Sequence, residues 1–177
     1  AVINSIYFIS DDIFAGPGKD NRIYILNIKG ECIKTLIGHN DKVNDIIILN
    51  DNIIASASSD SLIKIWKNLK YFHTLEGHEG PVRTLCKYND TITLSGGDDK
   101  TIRLWDMLYF ECIHVITTSK GPVTKILDFN NNIIYSNNNG IKSNMTIYDV
   151  TNRIELYEIP VIDSIHSIAT NNNVIVF

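Results

Sequence analysis

Apolar and polar residues alternate along this chain with the period of β-strands, in short runs broken by Asn, Asp and Gly. The stretch that follows Pro81 is representative. Val82-Arg83-Thr84-Leu85-Cys86-Lys87-Tyr88 reads as a strand, and Asn89-Asp90 turns it into a second strand from Thr91 to Ser95. Gly96-Gly97-Asp98-Asp99-Lys100 turns the chain again into Thr101 to Asp106, and a looser loop leads to Glu111 to Ile116. Strands joined by Asn, Asp and Gly turns of this length are antiparallel hairpins. Pro81 and Pro122 stand at strand starts, where a missing N–H does least harm. No stretch carries the period of an amphipathic helix.

The four-strand pattern repeats. Gly38-His39 falls on Gly77-His78, Asp60 on Asp99 and Trp66 on Trp105, each at an offset of 39 residues. Val2 to Ala15, Val43 to Ser56, Val82 to Ser95 and Val123 to Ser136 are each 13 apart, so one internal ruler aligns four copies. The copies span 1–36, 37–75, 76–116 and 117–159, with a partial fifth over 160–177. A four-stranded unit of this size leaves both faces uncovered, so successive units are expected to pack on one another as an all-β array. The chain begins at Ala1 and stops at Phe177 within an apolar run, as expected of a segment of a longer protein.

Composition narrows the chemistry. The 177 residues carry 20 Asp plus Glu against 16 Lys plus Arg, a net charge of −4, which lacks the electrostatic footprint of a nucleic-acid binder. No apolar stretch has the length of a membrane helix, so neither nucleic acid nor membrane is an expected partner. Cys32, Cys86 and Cys112 are odd in number and far apart, which fits reduced thiols in the cytoplasm or nucleus. The His and Cys residues show no metal-ligand spacing, and no cofactor motif is present. Gly16-Pro17-Gly18-Lys19 lacks the remaining residues of either phosphate-loop fingerprint and reads as a hairpin turn.

The Gly-His pair, the Ser-x-x-x-Asp turn and the Ile-Arg-Leu-Trp-Asp strand resemble blades of WD-repeat β-propellers over essentially the whole chain. The resemblance is strong in the second and third copies and degenerate in the first and fourth. The short turns between the first two strands also resemble propellers of F-box/WD-repeat and RING-type ubiquitin-ligase receptors. The resemblance implies an incomplete propeller, since the family commonly closes on about seven blades. It also implies a structural hydrogen-bond network in two copies: His39, Ser56, Asp60 and Trp66, then His78, Ser95, Asp99 and Trp105. The donors and acceptors suit each other, because carboxylate accepts from imidazole, imidazole from hydroxyl, and hydroxyl from indole. A His/Ser/Asp set also suits hydrolysis, but one that recurs at matched spacing suits architecture better than a unique catalytic centre. The first copy has Ala15 and Leu26 at the Ser and Trp positions, and the fourth has Ser119 and Tyr148 at the His and Trp positions. Those two copies are expected to rely on apolar packing.

The resemblance implies no catalytic residue, a non-enzymatic protein-interaction scaffold, and a partner face around the central opening. Its positions are those after the first-strand Val (Ile3, Asn44, Arg83, Thr124, His166), before it (Lys42, Pro81, Pro122) and before the turn Asp (Lys19, Ser59, Asp98). Arg83, with Lys42 and Lys19, suggests a local positive patch and a protein or peptide partner with acidic or phosphorylated groups. Strand alternation predicts that Val82 and Arg83 point to opposite sides. Two narrower roles remain open: the substrate receptor of a ubiquitin ligase, or the targeting propeller of an enzyme whose catalytic domain lies elsewhere.

Overall fold

A computed structural model describes residues 5–50, 52–138, 143–161, 169–171 and 174–176. Among these residues there is no helix. The chain forms β1 (Tyr7–Ser10), β2 (Ile13–Pro17), β3 (Ile23–Asn27) and β4 (Cys32–Leu36), then β5 (Val43–Asn50), β6 (Ile53–Ser58), β7 (Ile63–Lys67) and β8 (Lys70–Leu75). There follow β9 (Val82–Lys87), β10 (Ile92–Gly97), β11 (Thr101–Asp106) and β12 (Glu111–Thr117), then β13 (Val123–Phe129), β14 (Asn132–Asn138), β15 (Ser143–Asp149) and β16 (Ile154–Val161). A short pair, β17 (Ala169–Asn171) and β18 (Val174–Val176), closes the list. Each consecutive quartet is one antiparallel sheet whose strands lie in chain order. The sheets stand side by side and do not close into a ring among the described residues. The outer strands β12 and β16 run to Thr117 and Val161, slightly past the expected copy ends.

Turn chemistry explains the tight hairpins. Asn21, Ser61 and Lys100 occupy equivalent places between second and third strands, and each has a left-handed backbone, with φ of 65°, 69° and 63°. Ser61 N–H donates to Ser58 O and Lys100 N–H to Gly97 O, which closes a type I turn followed by a left-handed residue.

The core lies between sheets. Ala15, Ile23, Ile25 and Leu36 of the first sheet pack on Val43, Ile46, Ile54 and Trp66 of the second. Ala55, Ala57, Ile63, Ile65 and Leu75 meet Val82, Leu85 and Trp105 of the third. Leu94, Ile102, Leu104 and Ile116 then meet Val123, Ile126, Ile133, Tyr135 and Tyr148 of the fourth. Each sheet therefore presents an apolar surface to each neighbour, as the four-stranded repeat required.

The inner strands carry irregularities the sequence pattern does not reveal. The ladder slips between Val43 and Asp45, between Val123 and Lys125, and opposite Gly96 and Gly97, where Thr84 and Val82 are their partners. Asn44, Thr124 and Arg83 are the residues skipped. A β-bulge re-aims the side chain it isolates; Val82 and Arg83 point to opposite sides as expected, and strict alternation breaks only beyond them, at Thr84 and Leu85. Val82, Thr84 and Leu85 are all buried, and only Arg83 among these turns outward. A second bulge recurs on the outer side at Leu26, Trp66, Trp105 and Tyr148.

One buried carboxylate links all four sheets. Asp45, 4% exposed, lies on the inner strand β5. Its Oδ1 accepts from Tyr7 Oη of β1 at 2.8 Å and from Ile46 N–H at 3.0 Å. Its Oδ2 accepts from Leu85 N–H of β9 at 2.9 Å and lies 3.5 Å from Lys125 Nζ of β13. Burial, reinforced by this carboxylate, pushes the Tyr7 phenol well above its ordinary pKa. Replacing Asp45 with Ala strands a buried hydroxyl, a backbone N–H and a lysine at once, and destabilises the fold by about 3 kcal/mol. Asp45→Asn keeps a carbonyl acceptor and costs less. Denaturant unfolding of the two variants checks both the loss and the order.

Candidate functional site

The repeated polar sets form two closed relays of matching geometry. His39 Nδ1–H donates to Asp60 Oδ2 at 2.9 Å, Ser56 Oγ–H donates to His39 Nε2 at 2.8 Å, and Trp66 Nε1–H donates to Ser56 Oγ at 2.8 Å. In the third sheet the same links join His78 to Asp99 at 2.8 Å, Ser95 to His78 at 2.7 Å and Trp105 to Ser95 at 2.8 Å. Asp60 also accepts from the N–H groups of Asn40 and Leu62, and Asp99 from those of Glu79 and Thr101. Each carboxylate thus holds the loop entering its sheet against the turn between second and third strands. The Gly of each Gly-His pair has a steric reason. A Cβ on Gly38 would lie 3.2 Å from the Trp66 ring, and one on Gly77, whose φ is +148°, would lie 2.9 Å from the Arg103 guanidinium.

Electrostatics fix the protonation of the relays. Burial pushes both imidazoles below the ordinary histidine pKa, and the neighbouring carboxylates only partly oppose it. Neutral rings with a proton on Nδ1 match every link described. For Asp60 and Asp99 burial pushes upward, but the N–H donors and the histidines outweigh it and leave both carboxyls below their ordinary value. The Ser56 and Ser95 hydroxyls belong to residues 0% exposed, so no substrate reaches them. These serines have the partners of a hydrolytic triad without its access.

The flanking sheets add polar contacts of their own to the apolar packing expected of them. In the fourth sheet Asn137 Nδ2 donates to Thr118 Oγ1 at 3.1 Å and to Gly121 O at 2.8 Å, and Thr118 Oγ1 donates to Lys100 O at 3.2 Å. Nearby, Tyr135 Oη donates to Glu155, which Lys120 also engages at 2.9 Å. In the first sheet Asp20 accepts from Tyr24 Oη at 2.7 Å, since no histidine reaches it. Asp20 keeps the Asp position of the motif, but the other substitutes lie at positions outside it, so alignment of the copies does not find them. Asp45 was missed for a similar reason, although an Asp opening the run Ile46-Ile47-Ile48 is a visible signal.

The three partner-face positions of a sheet do come together. In the second sheet Ser59 N–H donates to Lys42 O at 2.9 Å and Asn44 Nδ2 donates to Ser59 Oγ at 3.0 Å. Asn44 Nδ2 also reaches Val82 O of the next sheet at 2.8 Å. In the third sheet Asp98 N–H donates to Pro81 O at 2.9 Å, and Arg83 forks onto Asp98, with Nε to Oδ1 at 2.8 Å and Nη2 to Oδ2. In the fourth, Asn138 N–H donates to Pro122 O at 3.1 Å and Thr124 Oγ1 meets Ser136 Oγ at 2.8 Å. Lys19 and Lys42 are exposed. Ile3 and His166 lie outside the described residues. The bidentate pair sets the electrostatics, because Asp98 neutralises Arg83 and, among the described residues of these positions, leaves Lys42 and Lys19 as the cations without an ion pair. No group of three or more metal-ligating side chains occurs among the described residues, and no helix long and apolar enough to cross a membrane is found among them.

The family model described as WD domain, G-beta repeat matches residues 30–67 and 69–106. Each match takes the outer strand of one sheet with the three inner strands of the next, β4 to β7 and then β8 to β11. A sequence repeat therefore straddles two sheets and interlocks them. The crystal structure of the WD40 β-propeller domain of Doa1 is similar over 90% of this chain, with a TM-score of 0.78 and 24% sequence identity. The chain spans 53% of that domain chain, about half its length. No curated protein matches. In all, 1145 solved chains match, so the architecture is too widely shared to select a partner.

The relays give stability a defined pH dependence. The folded histidines titrate below the unfolded value of 6.5, so the unfolded chain binds more protons as pH falls below it, and stability drops. The folded aspartates titrate below 3.8, so their contribution, present above that value, is lost as pH falls through it. Unfolding midpoints measured against pH should decline in these two windows. A His39→Gln/His78→Gln variant should lack the first decline and keep the second.

Proposed function

We propose that this chain of WD40 repeats is a non-catalytic platform for protein partners, used through the face that bears Asn44, Ser59, Arg83 and Asp98. The observation that carries the reading is the division of polar groups. The His, Ser and Asp side chains that suit catalysis are buried and spent on one another, whereas the bulge residues Asn44, Arg83 and Thr124 are half-exposed beside the turns. Bulges that turn polar side chains out of a rigid sheet offer fixed recognition groups at little entropic cost. Exposed Lys42 and Lys19 favour a partner carrying acidic or phosphorylated groups, and Arg83 serves such a partner only by exchanging Asp98 for it. Roles as a ubiquitin-ligase substrate receptor or as the targeting propeller of an enzyme both use such a face and differ in sequence beyond this segment. Three free cysteines, with Cys32 exposed, support a reducing compartment such as the cytoplasm or nucleus.

The pair makes an asymmetric test. Arg83→Glu should lose partners captured by the wild-type chain and remove their salt dependence. Asp98→Ala frees the guanidinium and should strengthen capture of acidic or phosphorylated partners. Quantitative pull-down across a salt series reads both. If neither variant changes capture while the fold is intact, the interface lies elsewhere.

A further inference from the structure

On the circumference, between the outer strands β4 and β8, the first two sheets leave an open groove of roughly 300 Å³. Leu36, Trp66 and Leu69 form its apolar base, and Lys34, Lys70 and Tyr71 line its walls. Tyr71 is 58% exposed, and adjacent Ile37 is 65% exposed. Lys64 lies along the same wall, its Nζ 5.2 Å from the Tyr71 ring centroid and 3.1 Å from Thr74 Oγ1. Among the described residues none of Lys34, Lys64 and Lys70 is in an ion pair. Glu31, just before β4, is engaged by Asn27 at 2.7 Å. A chain of net charge −4 thus carries three unneutralised lysines around one apolar slot.

The next groove around the circumference shows that this is not a property of every sheet junction. Strand register makes Lys70 equivalent to Glu111 and Tyr71 equivalent to Cys112, since Lys67 pairs with Lys70 as Asp106 does with Glu111. The residue preceding each is Leu69 or Phe110, both left-handed, with φ of 56° and 58°. Phe110 fills its own groove, with ring centroids 5.1 Å from His73 and 5.5 Å from Phe72. Leu69 is too short to do the same and leaves the slot open. Glu111 also breaks the cationic run that Lys70 completes.

We propose that the groove between β4 and β8 is a second docking site, which takes an extended acidic segment of a partner protein. One apolar side chain of that segment enters the slot over Trp66 and Leu69, and its flanking carboxylates meet Lys34, Lys64 and Lys70. An apolar base favours such a peptide over a nucleic-acid backbone, which offers phosphates but no aliphatic or aromatic side chain to bury. The site lies on outer strands, whereas Asn44, Arg83 and Thr124 lie on inner strands, so it does not depend on the partner face proposed above.

The test is selection of a random dodecapeptide phage library on the full chain, followed by fluorescence anisotropy of the enriched peptides. Peptides that place Asp or Glu around a Leu or Phe are expected to bind wild type and Arg83→Glu equally. Their binding should weaken with salt and fall about tenfold in Lys34→Glu/Lys70→Glu. These exposed substitutions should leave the thermal unfolding midpoint unchanged, and Leu69→Phe, which fills the slot without altering charge, provides a second variant expected to lose binding. Selection that yields no lysine-dependent acidic peptide overturns the proposal. So does loss of binding in Arg83→Glu alone, which assigns the peptides to the inner-strand face. A single-stranded oligonucleotide that binds through Lys34 and Lys70 and is not displaced by the peptides also overturns it, in favour of a polyanion site.

Discussion

The convergence of four inner strands on the Asp45 carboxylate is the constraint on which the arrangement of sheets depends. Apolar burial between neighbouring sheets is strong but non-directional, and sheets that attract only through Ile, Val and Leu surfaces are free to slide. A buried carboxylate is directional. It must collect donors or pay heavily for desolvation, and here it collects them from Tyr7, Ile46, Leu85 and Lys125, which belong to four successive sheets. The register between sheets at the centre follows from that demand.

Farther out, a second set of polar groups holds each sheet internally. The Asp60 and Asp99 relays tie the entry loop to the turn between second and third strands, and their indole ends reach the third strand near its outer bulge. In the fourth sheet Asn137 with Thr118 joins the entry loop to the second strand, whereas in the first Asp20 and Tyr24 link only the turn to its own third strand. Among the described residues Asn137 Oδ1 and Thr146 Oγ1 of the fourth sheet, and Thr93 Oγ1 and Arg103 Nε of the third, are buried without a hydrogen-bond partner, so an intact relay does not leave every polar group of its sheet satisfied.

The relay groups are consumed in this way, and the exposed polar groups to which the proposals above assign recognition lie elsewhere. Two surfaces stand out. One is the inner-strand face, where bulges turn Asn44, Arg83 and Thr124 outward but also pair them with Ser59, Asp98 and Ser136. The other is the circumferential groove, where lysines remain without carboxylates. The first is pre-organised, with Arg83 neutralised by Asp98 and Lys42 and Lys19 exposed, and the second is cationic and open.

The sequence by itself determined the repeat, the succession of four antiparallel strands in each copy and the matched spacing of His, Ser, Asp and Trp, all of which are short-range information carried by local periodicity and turn residues. That those four residues form a relay, and that other positions of the repeat face a partner, were implications of the family resemblance. What the tertiary structure decided is everything that depends on an atom from another strand or sheet. Asp98 stands among the same repeat positions as Arg83 and is able to offset part of its charge, but only the bulge and the turn bring the two into a bidentate pair. Asp45 reads as one polar residue beside an apolar run until Tyr7, Leu85 and Lys125 arrive from sheets 38, 40 and 80 residues away along the chain. Lys34 and Lys70 become neighbours of one groove only because two outer strands stand side by side and Leu69 fails to fill the space between them. Burial and charge pairing are sums over neighbours in space, and a linear pattern contains those neighbours without saying which of them meet.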